Sequence, residues 1–182
     1  MAMLRTLHGS GIDSGFPFSI YDNAQMIVEK LNQRQRTSFT DFEMLSSTID
    51  TANAIARRNG ARSCLCHNDF YAPNLLVKGE HMQLIDWEYA GMSDYANDLA
   101  TFICCCEEYS YYDALAVFAE YFQREPTQTE LLHCVASVAV NSYYWFVWAL
   151  YKDACGEPVG EWVYLWYKRA KEYGKKAVEL DG

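Results

Sequence analysis

The stretch that most constrains this chain is Cys66-His67-Asn68-Asp69-Phe70-Tyr71-Ala72-Pro73-Asn74-Leu75-Leu76, followed by Leu84-Ile85-Asp86-Trp87-Glu88-Tyr89. A very short strand candidate at Leu65-Cys66 runs into a polar loop at residues 67–73, and an apolar run restarts at Leu75-Leu76-Val77. The spacing His67-x-Asp69-x4-Asn74 lets that loop curve until the Asp69 and Asn74 side chains reach one cavity. Lys78-Gly79-Glu80 turns the chain, and residues 81–85 return as a second strand. That strand ends at Asp86, seventeen residues after Asp69. The pattern predicts a small antiparallel hairpin with carboxylates and an amide gathered at its ends.

Helices are predicted on both sides of it. A short helical start lies around Met3-Leu4-Leu7-His8, inside a first segment of nineteen residues that mixes Gly, Ser and Pro. Ile20, Ala24, Ile27, Val28 and Leu31 form one helical face over residues 20–33. Thr40 with Glu43 reads as a capping box for a helix carried by Phe42, Leu45, Ile49, Ala52 and Ile55 and stopped at Gly60. Further helices are expected from Asp94 towards Cys106, over 112–122, from a capping box at Thr127 and Glu130 to about Lys152, and over 160–180. The expected fold class is therefore α+β and mainly helical.

Composition excludes several classes. The chain has 182 residues, is 51% hydrophobic and 15% aromatic, and carries a formal charge of −9. One well-packed domain is expected. The basic residues form no cluster longer than Arg57-Arg58, which argues against a nucleic-acid surface. The apolar run at 135–150 is broken by Ser137, Asn141 and Ser142 and falls short of the ~20 residues that cross a bilayer. It reads as a buried helix, and no membrane association is expected. Seven cysteines, three of them consecutive at Cys104, Cys105 and Cys106, suit a reducing cytoplasm better than a disulfide framework. Cys64-x-Cys66 beside His67 lacks the two-residue gaps and downstream Cys/His pair of a structural zinc site.

Phosphoryl transfer needs a carboxylate to take or orient the substrate hydroxyl proton, and oxygen ligands for the metal that neutralises phosphate charge. In the matching catalytic-loop pattern Asp69 is the base and Asn74 a Mg²⁺ ligand, with Asp86 placed to bridge metal ions. His67 reads as a structural residue bonding the loop backbone. Asp98 reads either as a helix N-terminal cap or as a brace for the catalytic loop, and the brace is preferred. Trp145 and Trp148, three apart on one helix face, could hold a quaternary ammonium, which lacks a hydrogen-bond donor and is best bound by aromatic faces in a negative field. Core packing is the alternative for those rings.

These residues resemble the choline/ethanolamine kinase family, especially its bacterial LicA-like members, within the aminoglycoside-phosphotransferase and protein-kinase-like superfamily. The resemblance rests on His67-Asn68-Asp69 with Asn74-Leu75-Leu76, and on Ile85-Asp86-Trp87-Glu88-Tyr89 with Asp98-Leu99-Ala100. It implies a protein-kinase-like C-terminal lobe over residues 20–182, with catalytic and metal-binding loops in 64–98, substrate-pocket helices in 99–182, and residues 1–19 as an interlobe connector. It implies Asp69 as base, Asn74 and Asp86 holding Mg²⁺ and the phosphates of ATP, and Glu88 near metal and substrate. A small cationic alcohol would sit among Tyr89, Trp145, Trp148 and Tyr164, with Glu107 or Tyr109. The Cys104–Cys106 triplet stands where the family pattern places an acidic residue.

Nothing before Leu65 supplies the strands, phosphate-covering loop and lysine of a nucleotide-binding lobe, and Lys30 there lies in a helix. The sequence thus predicts a chain lacking that lobe, which binds ATP poorly alone and can self-associate through the surface left open. The competing readings are a phosphotransferase for an aminoglycoside or another small alcohol, and a non-catalytic substrate-binding or interaction module.

Overall fold

Helix α6, Gln128–Ala154, is the axis of the molecule, and its residues from Leu132 to Val147 are buried without a break. A helix apolar on every face must be surrounded, and α6 packs against the helices α2 (Ile20–Arg34), α3 (Phe42–Asn59), α4 (Ala96–Cys104) and α7 (Trp162–Asp181). Its polar residues are satisfied inside the bundle. Ser137 and Ser142 hydroxyls donate to the His133 and Val138 carbonyls, and Asn141 bonds the Ser137 carbonyl, Asn97 and Thr101. Among the described residues, no helix is long and apolar enough to cross a membrane.

The computed structural model describes residues 1–34, 38–60, 63–79 and 81–182. Helix α1 (Ala2–His8) and α5 (Tyr111–Phe122) complete the helical set. The expected hairpin is present as β2 (Leu75–Lys78) and β3 (His81–Leu84), antiparallel with Leu75 opposite Leu84 and Lys78 opposite His81. Gly79, at φ 60, makes its turn, while Glu80, expected in the same turn, lies outside the described residues. The hairpin exposes Leu76, Val77 and Met82.

A second ribbon was not evident from the sequence. Strand β1 (Cys64–Cys66) pairs antiparallel with β4 (Gly91–Ser93), Cys66 lying opposite Gly91. Residues 16–18 close on β4, with Phe18 N donating to the Met92 carbonyl at 2.9 Å and Met92 N to the Phe16 carbonyl at 2.7 Å. Gly91 is required there, because a Cβ would sit 2.8 Å from the Phe16 carbonyl oxygen.

The capping box at Thr127 and Glu130 is formed, and a second one joins Ser110 to Asp113 at the start of α5. The box expected at Thr40 and Glu43 is not formed. Helix α3 begins at Phe42 after Asp41, with no side-chain cap. The Asp41 carboxylate instead accepts from the Tyr167 hydroxyl at 2.7 Å and from Lys171 Nζ at 2.6 Å, which ties the helix start to α7. The observed class is α+β and mainly helical, as expected.

Candidate active site

The loop between β1 and β2 is held from beneath by Asp98, which is fully buried near the start of α4. Its two carboxylate oxygens accept the backbone N–H of His67 at 3.0 Å and of Asn68 at 2.6 Å. The same carboxylate meets His8 Nε2 of α1 at 2.9 Å, and His8 Nδ1 lies 2.8 Å from the Tyr121 hydroxyl. Because a carboxylate only accepts, Nε2 carries the proton in its contact with Asp98. Neither His8 nor Tyr121 was anticipated from the sequence, since both lie far from the loop along the chain.

His67 is turned inward. Its Nε2 lies 2.9 Å from the Ile85 carbonyl and its Nδ1 accepts from Asp69 N at 3.3 Å, so the ring joins the loop to the end of β3. Asn68 adopts φ 63 and its side-chain amide donates to the Tyr89 carbonyl at 2.9 Å. A left-handed backbone costs asparagine less than most residues. It aims the next residue, Asp69, into a cavity instead of back along the strand.

Asn74 ends a single 3₁₀ turn, residues Ala72–Asn74. Its Nδ2 donates to both the Asp69 carbonyl and Asp69 Oδ2, each at 2.9 Å. The amide nitrogen is thereby committed, and the amide oxygen is the group left to accept or to bind a cation. Asp86 also has φ 63, two residues past the end of β3. Hard oxygen donors from Asp86, Glu88 and Asn74 fit Mg²⁺ rather than a thiophilic ion.

Asp69, Asp86 and Glu88 line one cavity of about 400 Å³ with Tyr71, Tyr89 and Cys105. Four indoles line it as well. Trp145 and Trp166 stack at 5.9 Å and 30°, Trp148 meets Trp145 edge-on at 5.7 Å, and Trp162 tilts over Trp166 at 5.5 Å. Tyr89 stands edge-on to Trp145 at 5.9 Å. Burial pushes the Asp69 carboxyl above its usual range, opposed by its bond from Asn74 and the nearby His67 and reinforced by Asp86 and Glu88. Burial and then Glu88, Asp69 and Asp86 raise the Tyr89 phenol in the same way. The cavity therefore carries a negative field against an aromatic face.

The structure brings Asp69, Asp86, Glu88, Tyr89, Trp145 and Trp148 to this cavity, with Asn74 bonded to Asp69. Glu107, Tyr109 and Tyr164 line a different groove, along with Arg169. The reason is helical phase. Trp162 and Trp166 are four apart and share a face of α7, whereas Tyr164 falls between them on the far side and is 58% exposed. Glu107 and Tyr109 lie beyond the end of α4, and Arg169 holds the Cys106, Glu107 and Tyr109 carbonyls. Trp162 and Trp166 were legible by the same spacing argument that singled out Trp145 and Trp148.

Residues 2–136 match the family model described as the APH phosphotransferase enzyme family. This chain belongs to that family. Within the phosphotransferase family it resembles the choline/ethanolamine kinases of LicA type, over their C-terminal-lobe-like part. Protein LicA of Haemophilus influenzae is 26% identical over 168 residues, an alignment covering 87% of this chain and 61% of that protein. The crystal structure of choline kinase LicA from Streptococcus pneumoniae superposes with a TM-score of 0.78 at 19% identity, covering 96% of this chain and 61% of that one. A choline/ethanolamine kinase family protein from Mesorhizobium loti superposes with a TM-score of 0.77 at 23% identity, covering 97% and 59%. This phosphotransferase-family chain thus spans about three fifths of the relatives it matches, and its fold is that of a protein-kinase-like C-terminal lobe.

Proposed function

We propose that this lobe carries the catalytic and substrate-binding groups for moving the γ-phosphoryl group of Mg·ATP to the hydroxyl of choline or a similar small amino alcohol, in a cytoplasmic setting. One observation carries the reading: a single cavity is lined by three carboxylates and four tryptophans. A trimethylammonium group cannot hydrogen-bond. It is bound by ring faces and by negative charge, and this cavity offers both.

Asp69 is the base in this reading. Its Oδ2 is engaged by Asn74, so Oδ1 accepts the substrate hydroxyl proton as that oxygen attacks the γ-phosphorus and the bond to ADP breaks. Mg²⁺, when bound, neutralises charge on the phosphates. Asp86, Glu88 and the Asn74 amide oxygen are the residues that would hold it. Asp98 and His67 keep Asp69 in place by fixing the backbone on which it rides. Trp148 and Trp162 orient the cationic head and shed water from it, while Trp145 and Trp166 back them.

Calorimetric titration of the chain with choline, ethanolamine and an aminoglycoside, with and without Mg·ADP, tests the substrate class. Choline is expected to bind most tightly. A preference for the polyamine aminoglycoside would move the assignment to another phosphotransferase substrate.

A further inference from the structure

A second cluster of ligating side chains lies apart from this cavity, where the end of α1 meets β1. Alternation along a strand turns residues two apart to one face, and the Cys64 and Cys66 sulfurs lie 3.7 Å apart. One ring nitrogen of His8 joins them, and the three donor atoms all lie within 4.8 Å of one another. Tetrahedral Zn²⁺ with Zn–S bonds of about 2.3 Å holds two sulfurs roughly 3.8 Å apart. The thiols are thus already at the spacing that such an ion imposes.

We infer that His8, Cys64 and Cys66 form a binding site for one thiophilic divalent cation of the Zn²⁺ class, with its fourth position open to solvent. Two thiolates and a neutral imidazole balance the double charge of the ion, so a half-buried site becomes electrically neutral when filled. The same donors discriminate against Mg²⁺, which takes oxygen ligands, so the site does not compete with the carboxylate cavity for its metal. His8 and Cys64 border a cavity of about 370 Å³ that also touches Asp13, Ser63 and Met92, giving the ion a way in and a water ligand room.

The second partner of the imidazole is already in place. Metal-bound histidines are oriented by a carboxylate on the ring nitrogen that faces away from the ion. Asp98 at 2.9 Å from His8 Nε2 fills that role, leaving the Nδ1 lone pair as the ligand in place of its bond from Tyr121. Asp98 is also the group that holds the His67 and Asn68 backbone. Asp98 thus joins the site to the loop that carries Asp69.

The test is titration of the full chain, kept reduced, with Co²⁺ and then Zn²⁺. One equivalent of Co²⁺ is expected to give a thiolate charge-transfer band and intense visible bands of tetrahedral type, which Zn²⁺ abolishes by displacement. Cys64→Ser should remove the charge-transfer intensity in part and weaken Zn²⁺ binding more than about tenfold, at least what the outer-shell partners of metal ligands contribute. Cys155→Ser, which removes an exposed thiol, and Asp86→Asn should leave both unchanged. In the unmutated protein, one equivalent of Zn²⁺ should protect Cys64 from iodoacetamide, read by mass spectrometry. Absence of the charge-transfer band overturns the proposal. So does a band lost with Cys155→Ser but kept with Cys64→Ser, or alkylation of Cys64 at the same rate with and without Zn²⁺.

Discussion

The Asp98 carboxylate and the His67 backbone N–H are 3.0 Å apart, and this contact joins α4 to the loop carrying Asp69. With the matching bond to Asn68 at 2.6 Å, it satisfies two adjacent buried donors with one fully buried charge. Removing it leaves both N–H groups and His8 without their acceptor. Asp98→Ala is expected to destabilise the fold by about 3–5 kcal/mol, the usual cost of breaking a buried charged network. Denaturant unfolding measures the loss, and hydrogen exchange should show the amides of residues 67 and 68 losing protection first. Asp98→Asn should recover only part of it, because an amide presents one acceptor oxygen where two are used.

The tryptophans of the cavity divide by burial. Trp145 is 6% exposed and supports the core, whereas Trp162 is 43% exposed at the cavity mouth. Trp145→Ala should cost about 3–5 kcal/mol of stability through the void it leaves. Trp162→Ala should cost under about 1 kcal/mol of stability yet weaken choline binding roughly 3- to 30-fold, the range of a cation–ring contact. Paired unfolding and calorimetric titrations separate the two effects.

Glu130 links stability to pH. Its bonds from Arg124, then from Thr127, hold its carboxyl down from 4.5 to about 2. A group with a lowered folded value binds fewer protons folded than unfolded. Its stabilisation is therefore complete above the unfolded value and lost as pH falls towards 2. The pair is exposed, so Glu130→Gln should cost about 0.5–1 kcal/mol near pH 7, where the ion pair with Arg124 is lost while the amide still closes the capping box. Thermal unfolding of both proteins at stepped pH should show their curves converging in acid.

Gly91 carries the contact between β4 and residues 16–18. Its added Cβ would meet a backbone oxygen at 2.8 Å, which cannot rotate away. Gly91→Ala should destabilise by about 1–3 kcal/mol, measured by denaturant unfolding.

The catalytic loop and hairpin were legible because their signals are local: an Asp and an Asn at fixed spacing, a turn, and an apolar strand ending in Asp86. The long α6 was legible from its cap and its apolar run. What escaped was non-local. The three residues of β4 carry no periodicity, and their pairing with β1 depends on a crossing of chain that sequence does not display. Thr40 and Glu43 matched a capping box, but the ties of Asp41 to Tyr167 and Lys171 set the helix start instead. Tyr164 was placed with the pocket aromatics by the family resemblance, while the phase of α7 sends it to the other groove. Cys64 and Cys66 lacked a downstream partner at ligand spacing, and the histidine that joins them comes from α1.

The central claim is that the aromatic and acidic cavity recognises a positive charge. It is tested most directly by titrating the folded chain with choline and with its uncharged isostere, 3,3-dimethyl-1-butanol, which has the same shape. Choline should bind at least about tenfold more tightly, as a desolvated cation over several rings requires, and Trp162→Ala should erase most of that difference. Equal affinity for the two alcohols, or no choline binding by a folded sample, would contradict the account.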